Sequence, residues 1–392
     1  MKLLVIPSWY PPNGGMFFVH QTQWLIDEGI EAAVLVAEEK SLKKIRLPGL
    51  PADLCLQRGQ QFGIRTYRKV QFRIPKFNRL NAHLWIRTAL HLAGQYIHEN
   101  GKPDLIQAHS CLWAGYVAAL LQEKHGIPFV ITEHRGRFNV NSFFRQQEVE
   151  DWHKPMLKRA LAEADAIIPV SERLIPVLEE IAGKMLPCLP IPNPVDEELF
   201  FPGAQGKEFP RETLFLAITN FQPYKAINVL IDAFHSASLQ GAAIRLRITG
   251  DGPGRQMMES RVAKLGLAHR VHFLGQQSAQ EIRNLLVDSD FLVLSSYNEG
   301  QPVSIGEAAL CGKPVICTDV ISERDVPEFA GFIVRTGSME SLADALLSAP
   351  GRKGQYDPAV IRTFALDRFS RKAVITRIKG VMESITHSTV RP

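Results

Sequence analysis

Short apolar runs alternate with longer segments of helical periodicity along the 392-residue chain. KLLVIPS, AAVLVAE, DLIQAHS, PFVITEH and AIIPVS carry consecutive apolar residues rather than one at every second position. That pattern belongs to parallel strands covered on both faces. Between them lie FVHQTQWLIDEG and helical stretches around 115–124 and 155–163. Residues 191–212, IPNPVDEELFFPGAQGKEFPRE, are rich in Pro and Gly and interrupt the rhythm. It restarts with TLFLAITN, IRLRITG, VHFLG, FLVLSS, PVICTD and FIVRTG, with helices expected around 226–237, 255–264 and 280–286, from Val303, and along the tail from 362 to 386. The chain therefore reads as α/β, with two Rossmann-like, doubly wound parallel-sheet domains facing a central cleft. The expected division is 1–197, a linker at 198–212, 213–365, and a helical tail at 366–392.

Composition changes this picture little. A 45% hydrophobic chain has material for a sizeable core, and a formal charge of +5 does not by itself argue for nucleic acid. The five cysteines (55, 111, 188, 311 and 317) match no disulfide or zinc spacing, and Cys311 and Cys317 read as small core residues. The first apolar run is too short for a signal peptide, and no apolar stretch reaches the ~18 residues of a spanning helix. The expectation is a cytoplasmic protein. One region departs from the average. Residues 40–90 hold twelve Lys or Arg and one acid, Asp53, interleaved with Phe62, Tyr67, Phe72, Phe77 and Trp85. Two readings stay open there: a surface for anionic lipid headgroups or an acidic acceptor, and a solvated face with buried aromatics. No nucleic-acid signature accompanies the charge.

The chemistry concentrates after the apolar runs. NEGQPVSIGEAALCGKPVI, residues 298–316, follows FLVLSS and so sits at a strand's carboxyl end, where open α/β sheets bind ligands. With a helix from Val303, the N–H groups around Pro302 to Ser304 form an anion-favouring terminus. Glu299 stands before that terminus and Glu307 about one turn inside, both suited to accept from sugar or ribose hydroxyls. Lys225 follows another strand and supplies a point charge for phosphate. Gly250, Gly252 and Gly254 in TGDGPG permit a tight turn beside a ribose or phosphate. Asp288-Ser289-Asp290, a D-x-D match, reads as a helix end leading into a strand. Ser171 reads as a helix cap.

Taken in order, IPNPVDEELF, the Lys225 segment, TGDGPG, RVHFLGQ and the Glu-x7-Glu pair ending in CGKPVI resemble the retaining glycosyltransferases of GT-B fold, glycosyltransferase family 4, over about residues 190–320. The first half is similar more loosely, through WYPPNGGMF, PDLIQAHS, IPFVITEH and ADAIIPVSE. The resemblance implies a nucleotide-sugar donor, a glycan or lipid-linked glycan acceptor in cell-surface polysaccharide synthesis, no metal or other cofactor in the chemistry, and a C-terminal helix returning to the first domain. It implies that His134, Glu299 and Lys225 serve catalysis. Glu307 would hold the ribose, Glu299 the transferred sugar, and Lys225 the leaving diphosphate. Gly15, Asn220, Gly250, Gly252, Gly300, Gln301, Pro302 and Val303 would line the donor, and Leu274 the base pocket. His109 reads as a core or loop hydrogen-bonding residue, and Glu133 as a residue that orients His134 or meets the acceptor. The sequence departs from the family where Asn220 replaces the usual Arg and Ala226 the usual Gly. That departure keeps an impaired nucleotide-sugar-binding scaffold in view, beside another GT-B enzyme such as an epimerase. The basic region 40–90 fits an acceptor presented at the inner face of the plasma membrane.

Overall fold

The computed structural model describes residues 1–11, 14–41, 55–134, 151–203 and 212–388. Most of the expected linker and part of the basic region, with Lys43, Lys44, Arg46 and Asp53, lie outside them. Among the described residues the chain forms two compact units. One holds the N-terminal sequence to Ile191 together with the segment from Ile375, and the other holds Pro192–Val374.

The first unit carries strands β1 (Lys2–Pro7), β2 (Glu31–Ser41), β3 (Gln57–Gln61), β4 (Ile64–Arg73), β5 (Leu105–His109), β6 (Phe129–Glu133) and β7 (Ala166–Pro169). Its helices are α1 (Met16–Asp27), α2 (Asn78–Asn100), α3 (Tyr116–His125), α4 (Lys154–Glu163) and α5 (Ile175–Ala182). The sheet order is β3-β4-β2-β1-β5-β6-β7, parallel except for the β3–β4 hairpin. β5, β6 and β7 are buried at every residue, as parallel strands covered on both faces are, with Gln107, His109, Thr132 and Glu133 among the buried residues. Chain order runs outward from β1 to β2 and then returns to β5, so the switch point lies between β1 and β5.

The hairpin and α2 occupy the basic region and divide it. Tyr67 and Trp85 are buried, while Phe62 and Phe77 are exposed. Arg58 pairs with Glu99, and Arg68 with Glu38. Lys76, Phe77, Arg79, Leu80 and His83 stay open to solvent around the start of α2.

The second unit has a six-stranded sheet, β10-β9-β8-β11-β12-β13. It is built from β8 (Thr213–Ile218), β9 (Ile244–Thr249), β10 (Val271–Gly275), β11 (Phe291–Leu294), β12 (Val315–Thr318) and β13 (Gly331–Val334). Its helices are α6 (Ile227–Leu239), α7 (Arg255–Lys264), α8 (Ala279–Asp288), α9 (Val303–Leu310), α10 (Met339–Arg352) and α11 (Pro358–Arg368). Successive strand residues face opposite sides of the sheet. Phe215 and Phe291 enter a core with Leu230, Phe234, Val262 and Leu346, while Leu216 and Leu292 enter another with Leu286, Ile305, Ala309 and Ile361. Each such side chain stabilises the fold by about 1.5–3 kcal/mol through burial. The switch point lies between β8 and β11.

The unit boundaries differ from the expected ones at two places, and backbone pairing explains both. The Val195 amide donates to the Phe369 carbonyl, and the Arg371 amide to the Val195 carbonyl, each at 2.8 Å. This bridge holds 192–197 and 366–374 in the second unit. Gly306 makes room for it, because a Cβ there would sit 2.7 Å from Val195 Cγ2. The last helix, α12 (Arg371–Ser388), continues into the first unit, where Lys379 Nζ donates to the Glu28 carbonyl at 2.9 Å.

Candidate functional site

In the second unit, the loops leaving β8 and β11 bring Lys225 and Glu299 together. Lys225 Nζ lies 2.6 Å from Glu299 Oε1, which also accepts from Ser296 Oγ at 2.6 Å. Backbone contacts set this pair. The Tyr297 amide donates to the Tyr224 carbonyl at 2.7 Å, Ser295 Oγ donates to the Lys225 carbonyl at 2.9 Å, and Thr318 Oγ1 donates to the Ser296 carbonyl at 2.7 Å. Burial pulls the Lys225 ammonium down, but Glu299 and Tyr224 outweigh it and hold the pKa above the ordinary lysine value. Lys225 is therefore an ammonium. The sequence could have signalled Ser295 and Ser296, which close the strand run FLVLSS.

α9 begins at Val303 as expected, with Pro302 as its extended N-cap. The free amides of its first turn follow directly from the Glu299–Gly300 loop. Glu307, one turn in, is partly buried, and its carboxyl has no hydrogen-bond or ion-pair partner among the described residues. Burial pushes its pKa up to about 7. An unsatisfied, partly desolvated carboxyl is ready for hydroxyl donors.

Three expected donor-site residues have structural tasks here. Gln301 Oε1 accepts from the Asn193 amide at 3.2 Å and from Asn193 Nδ2 at 3.0 Å, so this end of its side chain fastens the IPNPV segment to the start of α9. Gly250 and Gly252 admit the neighbouring loop. A Cβ at Gly250 would lie 1.7 Å from the Thr219 carbonyl oxygen, and one at Gly252 1.8 Å from that of Asn220. These glycines are required by two β-strand exits packed backbone to backbone. Asn220 is exposed. Its Nδ2 donates to Tyr224 Oη at 3.1 Å, and its Oδ1 accepts from the Gln222 amide at 3.3 Å. Ala226, in place of the usual Gly, still takes the left-handed conformation, at φ 49°. Leu274 is half-buried at the end of β10. In the D-x-D match, Asp290 accepts from the Leu214 amide and from Lys353 Nζ, each at 2.9 Å, as a helix-to-strand junction would. Among the described residues no group of three or more His, Cys, Asp or Glu is arranged to hold a metal ion.

In the first unit, the exits of β1, β5 and β6 assemble a different surface. Gly15 precedes α1 at φ 91°, and a Cβ there would lie 2.2 Å from the Phe18 ring. Phe18 stacks on His109 with centroids 4.8 Å apart, and Phe17 lies 4.7 Å from His134. His109 Nδ1 is 3.0 Å from His134 Nε2. Full burial, and then the neighbouring His134, keep His109 well below the usual histidine range, so it is neutral. Glu133 is buried and accepts from the Cys111 amide at 2.7 Å, Ser110 Oγ at 3.2 Å and the His134 amide at 3.0 Å. It orients the His134 backbone and the turn after β5. Ser171 accepts from the Arg173 amide as a cap.

Two family models divide the chain between them: Glycosyltransferase Family 4 over residues 15–199 and Glycosyl transferases group 1 over 204–350. A glycosyltransferase of Bacillus subtilis (strain 168), named for teichuronic acid biosynthesis, is 27% identical over 364 residues, 88% of either chain. Among solved structures, a sucrose-phosphate synthase from Thermosynechococcus elongatus superposes with a TM-score of 0.79 at 18% identity, over 99% of this chain and 100% of that one. The Anabaena protein HepE, in complex with UDP, superposes with a TM-score of 0.73 at 20% identity, over 98% and 100%.

Proposed function

We propose, for a chain that belongs to the family 4 and group 1 glycosyltransferases and has their GT-B fold, that it moves a sugar from a nucleotide-sugar donor to a glycan or lipid-linked glycan with retention of configuration. The observation that carries this reading is the Lys225–Glu299 ion pair at the β8–β11 switch point, with the Glu307 carboxyl, unpartnered among the described residues, one turn into α9. Breaking a sugar–phosphate bond leaves negative charge on the diphosphate. Lys225 and the α9 amides are fixed positive groups for that charge, and fixed groups need no reorganisation as it develops. In this reading they serve without a metal. Glu307 takes the ribose hydroxyls and Glu299 those of the transferred sugar. The two acids bind rather than attack. The acceptor hydroxyl enters on the leaving-group face, its proton passes to the departing diphosphate oxygen, and His134 steadies the sugar.

UDP in the HepE complex supports a uridine donor, and the teichuronic acid relative supports a cell-surface acceptor. Lys76, Arg79, His83 and Arg87 beside the exposed Phe77 and Leu80 support docking on an anionic membrane face. Asn220 favours a second reading, a binding protein with little turnover, because it supplies no charge at the diphosphate. The test is transfer from UDP-hexoses with and without EDTA, with the anomeric configuration of the product read by NMR. A retained product formed equally in EDTA is expected. Donor binding with no turnover of any acceptor would favour the second reading, and an inverted product would overturn the mechanism.

A further inference from the structure

The first unit contains a cavity of about 390 Å³ at the carboxyl ends of β1 and β2. That lies inside the ~300–1,000 Å³ range of small-molecule sites. One wall is aromatic, with Trp9 and Trp113, and Trp85 backs Trp113 at 5.7 Å between ring centroids. The opposite wall comes from the part of β2 that runs beyond its pairing with β1. That pairing ends at Val34, whereas β2 and β4 stay paired to Ser41 and Arg73. Glu38, Glu39 and Lys40 line this extension, with Arg73 beside them.

Trp113 is held at a cost. Its backbone is at φ 63° and ψ −57°, a strained tight-turn conformation rare for any side-chain-bearing residue. Ser8 keeps it there. The Ser8 hydroxyl donates to the Leu112 carbonyl at 2.6 Å and accepts from the Ala114 amide at 3.3 Å, so it bridges the two peptides flanking Trp113. Among the described residues the buried Trp113 Nε1–H has no hydrogen-bond partner, a second cost at the same residue. Packing alone does not account for a bulky indole at such a position, because a glycine would remove both costs. What the strain achieves is to hold a partly exposed indole against the cavity.

We propose that this cavity is a pyranose subsite, with the C–H face of the ring laid on Trp113 or Trp9 and its hydroxyls donating to Glu38 and Glu39. Aromatic faces accept apolar ring surface, and carboxylates accept several hydroxyls at once. The wall carries two acids and two bases, so it selects by hydroxyl geometry rather than by net charge. The role of this ring as the terminal sugar of the acceptor rests on the transferase reading above.

The experiment is saturation-transfer NMR on the full chain, with and without UDP. The probes are methyl α-D-glucopyranoside, methyl β-D-galactopyranoside, N-acetylglucosamine, glycerol 3-phosphate and inositol 1-phosphate. At least one pyranoside is expected to receive saturation on its ring C–H protons. Trp113→Ala and Glu39→Gln are each expected to weaken it about tenfold or more, with the thermal shift by UDP unchanged. Trp9→Ala serves if Trp113→Ala fails to fold. Saturation of no pyranoside, of the polyol phosphates alone, or undiminished in the variants would overturn the proposal. Pyranoside binding without any UDP binding would leave the subsite standing and count against the transferase reading instead.

Discussion

At the switch point of the second sheet a lysine and a glutamate meet in a buried ion pair, while at that of the first sheet two imidazoles lie among phenyl rings. Both sites stand at strand exits of parallel sheets, where topology leaves a crevice. The chemistry filling them is opposite. The second unit holds its polar groups by hydrogen bonds from the Ser295 and Thr318 hydroxyls and the Tyr297 amide to backbone carbonyls, and it leaves Glu307 without a partner among the described residues. The first unit satisfies the buried Glu133 three times over and sets a buried, neutral His109 against the Phe18 ring. One exit carries an ion pair, and the other aromatic rings around a buried, neutral His109. Shared topology supplies the position, and the few residues at each strand exit decide what binds.

The largest effect expected on this contrast comes from Lys225→Met. It leaves Glu299 buried beside Ser296 without its cation. Transfer should fall about 10²–10³-fold, comparable to losing a preorganised donor, and stability by about 3 kcal/mol. Steady-state rates and denaturant melts measure the two. A rate loss below threefold would mean that charge is not what separates the two crevices.

Glu307→Gln comes next. A carboxyl whose folded pKa is about 7, above its unfolded value of 4.5, favours the fold when protonated. Wild-type stability should therefore fall as pH rises from about 4.5 to 7, by up to about 3 kcal/mol. The variant should lose that slope and melt higher than wild type at pH 8, while binding donor more weakly. Equal slopes in both proteins would show that Glu307 titrates normally.

In the first unit, His109→Leu should lower kcat about 10- to 100-fold through a misplaced His134, with little change in donor KM. His109→Asn, which keeps a hydrogen-bonding amide near the Nδ1 position, should recover much of it. A purely structural histidine would show no such rescue. The smallest effect belongs to Ala226→Gly. Glycine relieves a left-handed alanine but loses more chain entropy, so calorimetric stability should change by less than about 1 kcal/mol.

The strands and the switch-point loops were legible because buried parallel strands are written as unbroken apolar runs. Lys225, Glu299 and Glu307 were legible because each stands at a helix start that follows such a run. The β3–β4 hairpin was not. QRGQQ is a polar edge strand, exposed along almost its whole length, and carries no hydrophobic signature. Nor could sequence show that Gly250 and Gly252 serve the 219–221 loop, or that Asn193 ties to Gln301. Those contacts join residues up to 108 positions apart, and only the fold brings them together. The His109–His134 contact is of the same kind, made by adjacent strands β5 and β6.

The most direct measurement is calorimetric titration of UDP into the wild-type chain and into Lys225→Met, both in EDTA. The account predicts binding to wild type that weakens at least tenfold in the variant, since the phosphates lose their fixed cation. Equal affinity in the two proteins would contradict it and move the charged ligand away from the β8–β11 switch point.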